Sequence, residues 1–266
     1  MVNNMSYISN RDFLVEVAKG LVPGHQSFHV TGVNTSVGTL LVPLTSSGTW
    51  FTPTSNVALM VNSDNSNDTN GGTGAHTVVV EGYDISGNPL SETVTMNGTT
   101  NVNLSNSFAR VTNFYVASSG TYATSITSSH KGNIIVIDQA SGRDIYAKIV
   151  FDGSYGIGYG EGKIGVNVVP TGYTDFIIGD VISIESNKPT DTFFFTRDNY
   201  TDVSSPYGAM KLRNLYKGTE GLVTIPHGVH EKMTQGTEYG FLAAVDSGSG
   251  SVSVDLEILR VDNSYL

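Results

Sequence analysis

The run Asp64-Asn65-Ser66-Asn67-Asp68-Thr69-Asn70-Gly71-Gly72 sets oxygen-bearing side chains at alternate positions, as a loop wrapping a calcium ion does. Such a loop closes with a bidentate glutamate near its twelfth position. Ala75 stands there, and no helical pattern flanks the run. Asx turns in a long connection between strands account for the same residues, so no metal is assigned to them. The glycine cluster from Gly153 to Lys163 raises phosphate binding. A P-loop, however, needs glycine where Ile157 stands and serine or threonine where Ile164 stands. The cluster reads as a Gly/Tyr-rich link between strands.

Six histidines are dispersed along the chain, and only His25/His29 and His227/His230 approach ligand spacing. Neither pair comes with a cysteine, which the chain lacks, and neither forms HExxH. No GxSxG nucleophile turn occurs, and no Asp/Glu pair has a context favouring acid/base work over solvation. No catalytic residue, metal or cofactor is therefore expected, and the chain does not read as an enzyme.

The elements that would carry these residues are mostly strands. Gly makes up 30 of 266 residues, with 13 Tyr and 11 Phe and abundant Val, Ile and Thr, a composition of turns and strands. Only Asn10-Arg11-Asp12-Phe13-Leu14-Val15-Glu16-Val17-Ala18-Lys19 reads as a helix, with Asn10 as the expected N-cap and Gly20 as the stop. Phe13, Leu14, Val17 and Leu21 form its narrow apolar stripe, which either packs on its own domain or serves as a docking surface for a partner. Beyond Pro23-Gly24, short apolar runs recur between turn signals. Among them, HTVVVEG, the turn Asp84-Ile85-Ser86-Gly87-Asn88-Pro89 and LSETVTM form a hairpin. The small polar stretch 118–131 suggests a boundary. The expectation is an all-β chain of two jelly-roll-like β-sandwich domains, 23–125 and 126–266, preceded by an arm and one short helix at 1–22.

Charge narrows the partners. The formal net charge is −10, from 14 basic and 24 acidic residues, which argues against nucleic acid and against docking on an anionic membrane. The opening MVNNMSYISN has no basic region followed by an apolar one and is not expected to be a secretion signal. No apolar run approaches the roughly 20 residues of a membrane span.

Four blocks together resemble a family of virion structural proteins of tailed bacteriophages. They are EVAKGLVPGH at 16–25; VNSDNSNDTNGGTGAHTVVVEGYDISGNPLSE at 61–92; TVTMNGTTNV with the following Phe108-Ala109-Arg110-Val111 and Gly132-Asn133-Ile134; and VSVDLEILRVDN at 252–263. The resemblance runs through 16–135, returns near the C-terminal end and is lost over about 175–225. It implies a place in a virion, on the capsid shell or at the neck as a decoration or accessory protein. The partners it implies are other virion proteins and further copies of the chain, with a trimer as the expected oligomer. It carries over no catalytic residue. The alternative is a tail fibre or a receptor- or glycan-binding adhesin, in which Trp50, Tyr155, Tyr159 and Tyr173 would stack on the sugars of a host-surface glycan.

Overall fold

A computed structural model describes residues 12–121, 129–140, 143–154, 156–226 and 231–266. The chain is all-β, with antiparallel sheets and, among the described residues, one short α-helix, α1 (Phe13–Ala18), near its start and a single 3-10 turn, Asn263–Tyr265, near its end. Asn10, the expected N-cap, lies outside the described residues. The cap is Asp12, whose Oδ1 accepts the Leu14 N–H at 3.0 Å. Gly20, at φ +70°, ends the helix in the left-handed conformation that glycine tolerates best.

The strands follow in chain order as β1 (His25–Val37), β2 (Val42–Pro43), β3 (Val57–Ser63), β4 (Ala75–Tyr83), β5 (Pro89–Thr95), β6 (Val102–Phe108) and β7 (Arg110–Ser119). Next come β8 (Ile134–Asp138), β9 (Ile145–Ile149), the small pair β10 (Phe151–Asp152) and β11 (Ile157–Gly158), and β12 (Val166–Val168). The last are β13 (Tyr173–Ile184), β14 (Thr190–Arg197), β15 (Met210–Thr219), β16 (Gly221–Pro226), β17 (Lys232–Thr234), β18 (Glu238–Val245) and β19 (Gly250–Asp262).

One sandwich packs the sheet β6-β3-β8-β9 against β5-β4-β7. Its core includes Leu59, Val61, Val78, Val80, Phe108, Phe114 and Ile134. The other packs β1-β19-β13-β16, with β17 on β13, against β12-β18-β14-β15, with β2 on β18. Phe194, Tyr239, Phe241, Leu256 and Ile258 lie at its centre. In β19 the residues Val252, Val254, Leu256 and Ile258 point inward while Ser253, Asp255 and Glu257 do not, the period-two pattern that commits one face to the core. Each such large apolar side chain contributes about 1.5–3 kcal/mol on burial.

The strands do not divide between the sandwiches in linear order. β1 and β2 were expected in the first domain, yet they pair with β19 and β18. β8 and β9 were expected in the second, yet β8 pairs with β3, and β9 with β8. The apolar faces decide it: Val30 and Val37 are buried in the core around Phe241 and Leu256, and Ile134, Val136 and Ile149 in the core around Val61 and Val78. β1 and β19 are both 13 residues long, and their register runs unbroken from His25↔Val261 to Asn34↔Val252. Two crossings therefore join the cores, and they run side by side: Thr45 lies opposite Ile164, and the Ser46 N–H donates to the Lys163 carbonyl at 2.8 Å. At this seam Gly32 of β1 lies so close to Gly165 and the Leu44 carbonyl that a β-carbon would overlap both.

Candidate functional site

The oxygen-rich loop is built around Asp68, whose side chain is fully buried. Its Oδ1 accepts the N–H groups of Ala75 at 2.9 Å and Lys131 at 2.8 Å. Its Oδ2 accepts the Ser63 hydroxyl at 2.6 Å and the Gly132 N–H at 2.9 Å. Four donors fill the four acceptor positions of a carboxylate. Asp64 is engaged in the same way by the Asn133 N–H and side-chain amide, each at 2.8 Å. The loop thus staples residues 131–133 to the N-terminal core. Gly74 and Gly132 give way to the carboxylates, because a β-carbon at either would strike Asp68 or Asp64. Among the described residues no group of three or more His, Asp or Glu is arranged to hold a metal ion.

The described histidines are engaged separately. His25 donates to the Pro23 carbonyl at 2.9 Å and packs edge-on against Phe13. His29 donates to Asp255 at 2.9 Å, and His76 to the Gly72 carbonyl at 2.7 Å. His130 is buried; its Nε2–H donates to the Val150 carbonyl at 3.1 Å, and Ser129 donates to Nδ1 at 3.0 Å. Burial lowers its pKa, and the Val150 carbonyl offsets part of that shift. His227 and His230 lie outside the described residues, as does Tyr155 of the glycine cluster.

The densest buried charge lies where the two sandwiches meet. Glu238, at the start of β18, is fully buried, and its Oε1 accepts both the Arg110 Nε–H and the Trp50 indole N–H at 2.7 Å. Arg110 is 2% exposed. It also donates to the Ala109 carbonyl at 2.8 Å and lies 5.0 Å over the Tyr200 ring. Arg197, directly across the ladder from Glu238, places a guanidinium nitrogen 3.4 Å from Oε2. Burial raises the Tyr200 pKa, with Arg110 opposing, so its hydroxyl stays neutral and donates to the Asp84 carbonyl at 3.3 Å. This last bond seats the 84–89 turn on the C-terminal sandwich. Arg110 and Arg197 line a cleft of about 270 Å³ together with Tyr200 and Tyr207.

A second network lies beside it. Arg260 binds Asp175 bidentately at 2.7 and 2.8 Å, Tyr239 donates to Asp175 at 2.9 Å, and Asn167 donates to Tyr239 at 3.0 Å. Burial alone would lower the Arg260 pKa; the Asp175 hydrogen bonds and charge overcome it and raise the value. Arg260 borders a groove of about 340 Å³ that also holds Glu81 and Glu161. Asn113 donates to Glu81 at 2.9 Å, and Lys163 pairs with Glu161.

The expected docking stripe is divided by the fold. Val17 is 3% exposed and packs into its own chain, whereas Phe13, Leu14 and Leu21 are 37%, 38% and 57% exposed. Of the aromatic residues expected to form sugar platforms, Trp50 is half-buried on Glu238 and Tyr173 lies over Arg260. Sequence reasoning missed the exposed apolar side chains of Met210, Leu212 and Leu215 on β15 and Leu222 on β16. It also missed the Arg110–Glu238 cluster, whose members are 128 residues apart.

No protein-family model matches the chain, and no curated protein does. Among solved structures it is similar to one of the infectious bursal disease virus Gt strain at 10% identity and a TM-score of 0.21, covering 96% of this chain and 79% of that one. It is also similar to the VP2 subviral particle of infectious bursal disease virus at 9% identity and a TM-score of 0.16, covering 90% and 77%. Scores this low establish no shared fold or role. No helix among the described residues is long and apolar enough to cross a membrane.

Proposed function

We propose that this chain is a non-enzymatic structural component of a tailed-phage virion, attached to the capsid shell or neck as a decoration or accessory protein. The observation that carries the reading is the set of sequence blocks resembling that virion family, concentrated in 16–135 and returning at 252–263. Exposed apolar side chains support it. Leu14 and Leu21 stand out around α1, and Leu212, Leu215 and Leu222 stand out on β15 and β16, the edge strands of the two sheets of the C-terminal sandwich. Exposed edge strands and apolar side chains are what assembly interfaces cover. Symmetric copies of the chain, with a trimer as the expected form, would use them in a particle.

The test is copy number per particle, by quantitative mass spectrometry of purified virions against the major capsid protein. Hundreds of copies support a shell decoration; a small symmetric multiple supports the neck or a fibre. Absence from the particle overturns the reading.

A further inference from the structure

We propose that the cleft lined by Arg110 and Arg197 binds an acidic sugar unit through its carboxylate. The first argument is charge. Arg110, Arg197 and Glu238 form one contact cluster, two positive groups against one negative, in a chain whose net charge is −10. Glu238 and Arg110 are 0% and 2% exposed and neutralise each other, which leaves the charge of Arg197, 24% exposed, as the positive group at the cleft. Asp202 also borders the cleft, but it is exposed and accepts the Ser204 N–H at 3.2 Å.

The second argument is unmet bonding. Arg197 Nε and Glu238 Oε2 are both buried without a hydrogen-bond partner, and the Arg197–Glu238 approach of 3.4 Å is a loose ion pair. Nε is shut off from the cleft, so a ligand there meets the terminal guanidinium nitrogens of Arg197, whose side chain is 24% exposed. A planar carboxylate is the group whose geometry matches that fork.

The third argument is the rest of the wall. Tyr207 is 62% exposed and offers a ring face, while Thr52 and Thr54 offer hydroxyls. An aromatic face takes the C–H side of a pyranose, and hydroxyls and amides take its OH groups. A volume of about 270 Å³ suits one sugar residue rather than an extended peptide. This inference is independent of whether the chain sits on a virion.

The only tryptophan of the chain, Trp50, donates to the carboxylate that both arginines touch, which makes its emission a reporter for the cleft. The full chain is titrated with D-glucuronate and with N-acetylneuraminate at constant ionic strength. D-glucose, sodium acetate and poly-L-glutamate serve as comparisons. The expected result is saturable binding of an acidic sugar with a Kd of about 1 mM or tighter. Arg197→Met is expected to weaken it at least about tenfold, with Arg197→Lys intermediate. Tyr207→Ala, a change at an exposed side chain that keeps the fold, is expected to weaken it severalfold. No saturable response to either acidic sugar overturns the proposal. So does acetate or poly-L-glutamate binding as tightly as the sugars, or Tyr207→Ala and the folded Arg197 variants binding like the parent.

Discussion

Arg110 and Glu238, one from each sandwich, form a 2.7 Å ion pair in which neither side chain is more than 2% exposed. The same Glu238 oxygen holds the Trp50 indole, on the segment that crosses between the cores. Removing one partner of such a pair leaves the other charge buried and costs more than the pair itself contributes. Glu238→Gln is therefore expected to destabilise the chain by about 3–5 kcal/mol in urea unfolding followed by Trp50 emission. Adding Arg110→Met to it should return part of that loss. A single variant within about 0.5 kcal/mol of the parent would show that the pair is not coupled to folding.

Asp68 gives the complementary case of a buried carboxylate held by neutral donors. Asp68→Ala leaves the N–H groups of Ala75, Lys131 and Gly132 without their acceptor. The expected cost is about 3 kcal/mol or more, since each buried orphan donor costs about 1–3 kcal/mol. Because the carboxylate is already filled, neither calcium nor a chelator should shift the Tm of the parent. A calcium-dependent rise of several degrees would restore the metal reading of this loop.

The seam between the crossings permits no side chain at Gly32. Gly32→Val is expected to cost about 3 kcal/mol or more, because the wall it meets is the Leu44 carbonyl and the Gly165 backbone rather than a side chain that can turn away. Val30→Ala, two residues back on the same inward face, removes only packing and should cost about 2–3 kcal/mol. If the glycine variant unfolds no more easily than the alanine one, the close approach is not a determinant of the fold.

His130 gives the chain a pH dependence of calculable sign. Its pKa in the fold lies below the free value of 6.5, so the unfolded chain takes up a proton first. Its contribution is fully present above pH 6.5 and is lost as pH falls below that value through the lowered folded one. Unfolding free energy measured from pH 8 to pH 5 should fall across that window in the parent. It should fall less steeply in His130→Gln. Parallel curves for the two proteins would place the acid sensitivity elsewhere.

What the sequence discloses and what it conceals separate along physical lines. The inward series Val252, Val254, Leu256 and Ile258 is local, so its strand is legible from its period. So is the hairpin at Asp84-Ile85-Ser86-Gly87-Asn88-Pro89, where Asp84 accepts the N–H groups of Ser86 and Asn88. Strand pairing is not local, and nothing in 25–37 announces that its partner lies at 250–262. Glu238 follows Thr-Gln-Gly-Thr and looks like a solvated carboxylate at a turn. Only the fold brings Arg110 to it. Asp68 is visible as an oxygen-bearing residue in an oxygen-rich loop, but two of the four donors that fill it are 63 and 64 residues away, at Lys131 and Gly132.

Leu14 and Leu21 allow the docking role of the N-terminal segment to be separated from folding. Val17 holds α1 to its own chain and Asp12 caps it, so both stay untouched in a Leu14→Ser/Leu21→Ser variant. The two leucines are 38% and 57% exposed, and surface changes of this kind usually alter stability by about 0.5 kcal/mol or less. The variant should therefore unfold at nearly the parent midpoint. If these side chains are covered by another virion protein, burying serines there instead removes roughly 1.5–3 kcal/mol per leucine of association free energy. Two such losses correspond to a hundredfold or greater weakening, by the rule that about 1.4 kcal/mol is tenfold. Particles assembled with the variant should carry few copies of it in a competition against the parent chain. Equal incorporation of a folded variant would move the attachment surface away from α1, to the edge formed by β15 and β16.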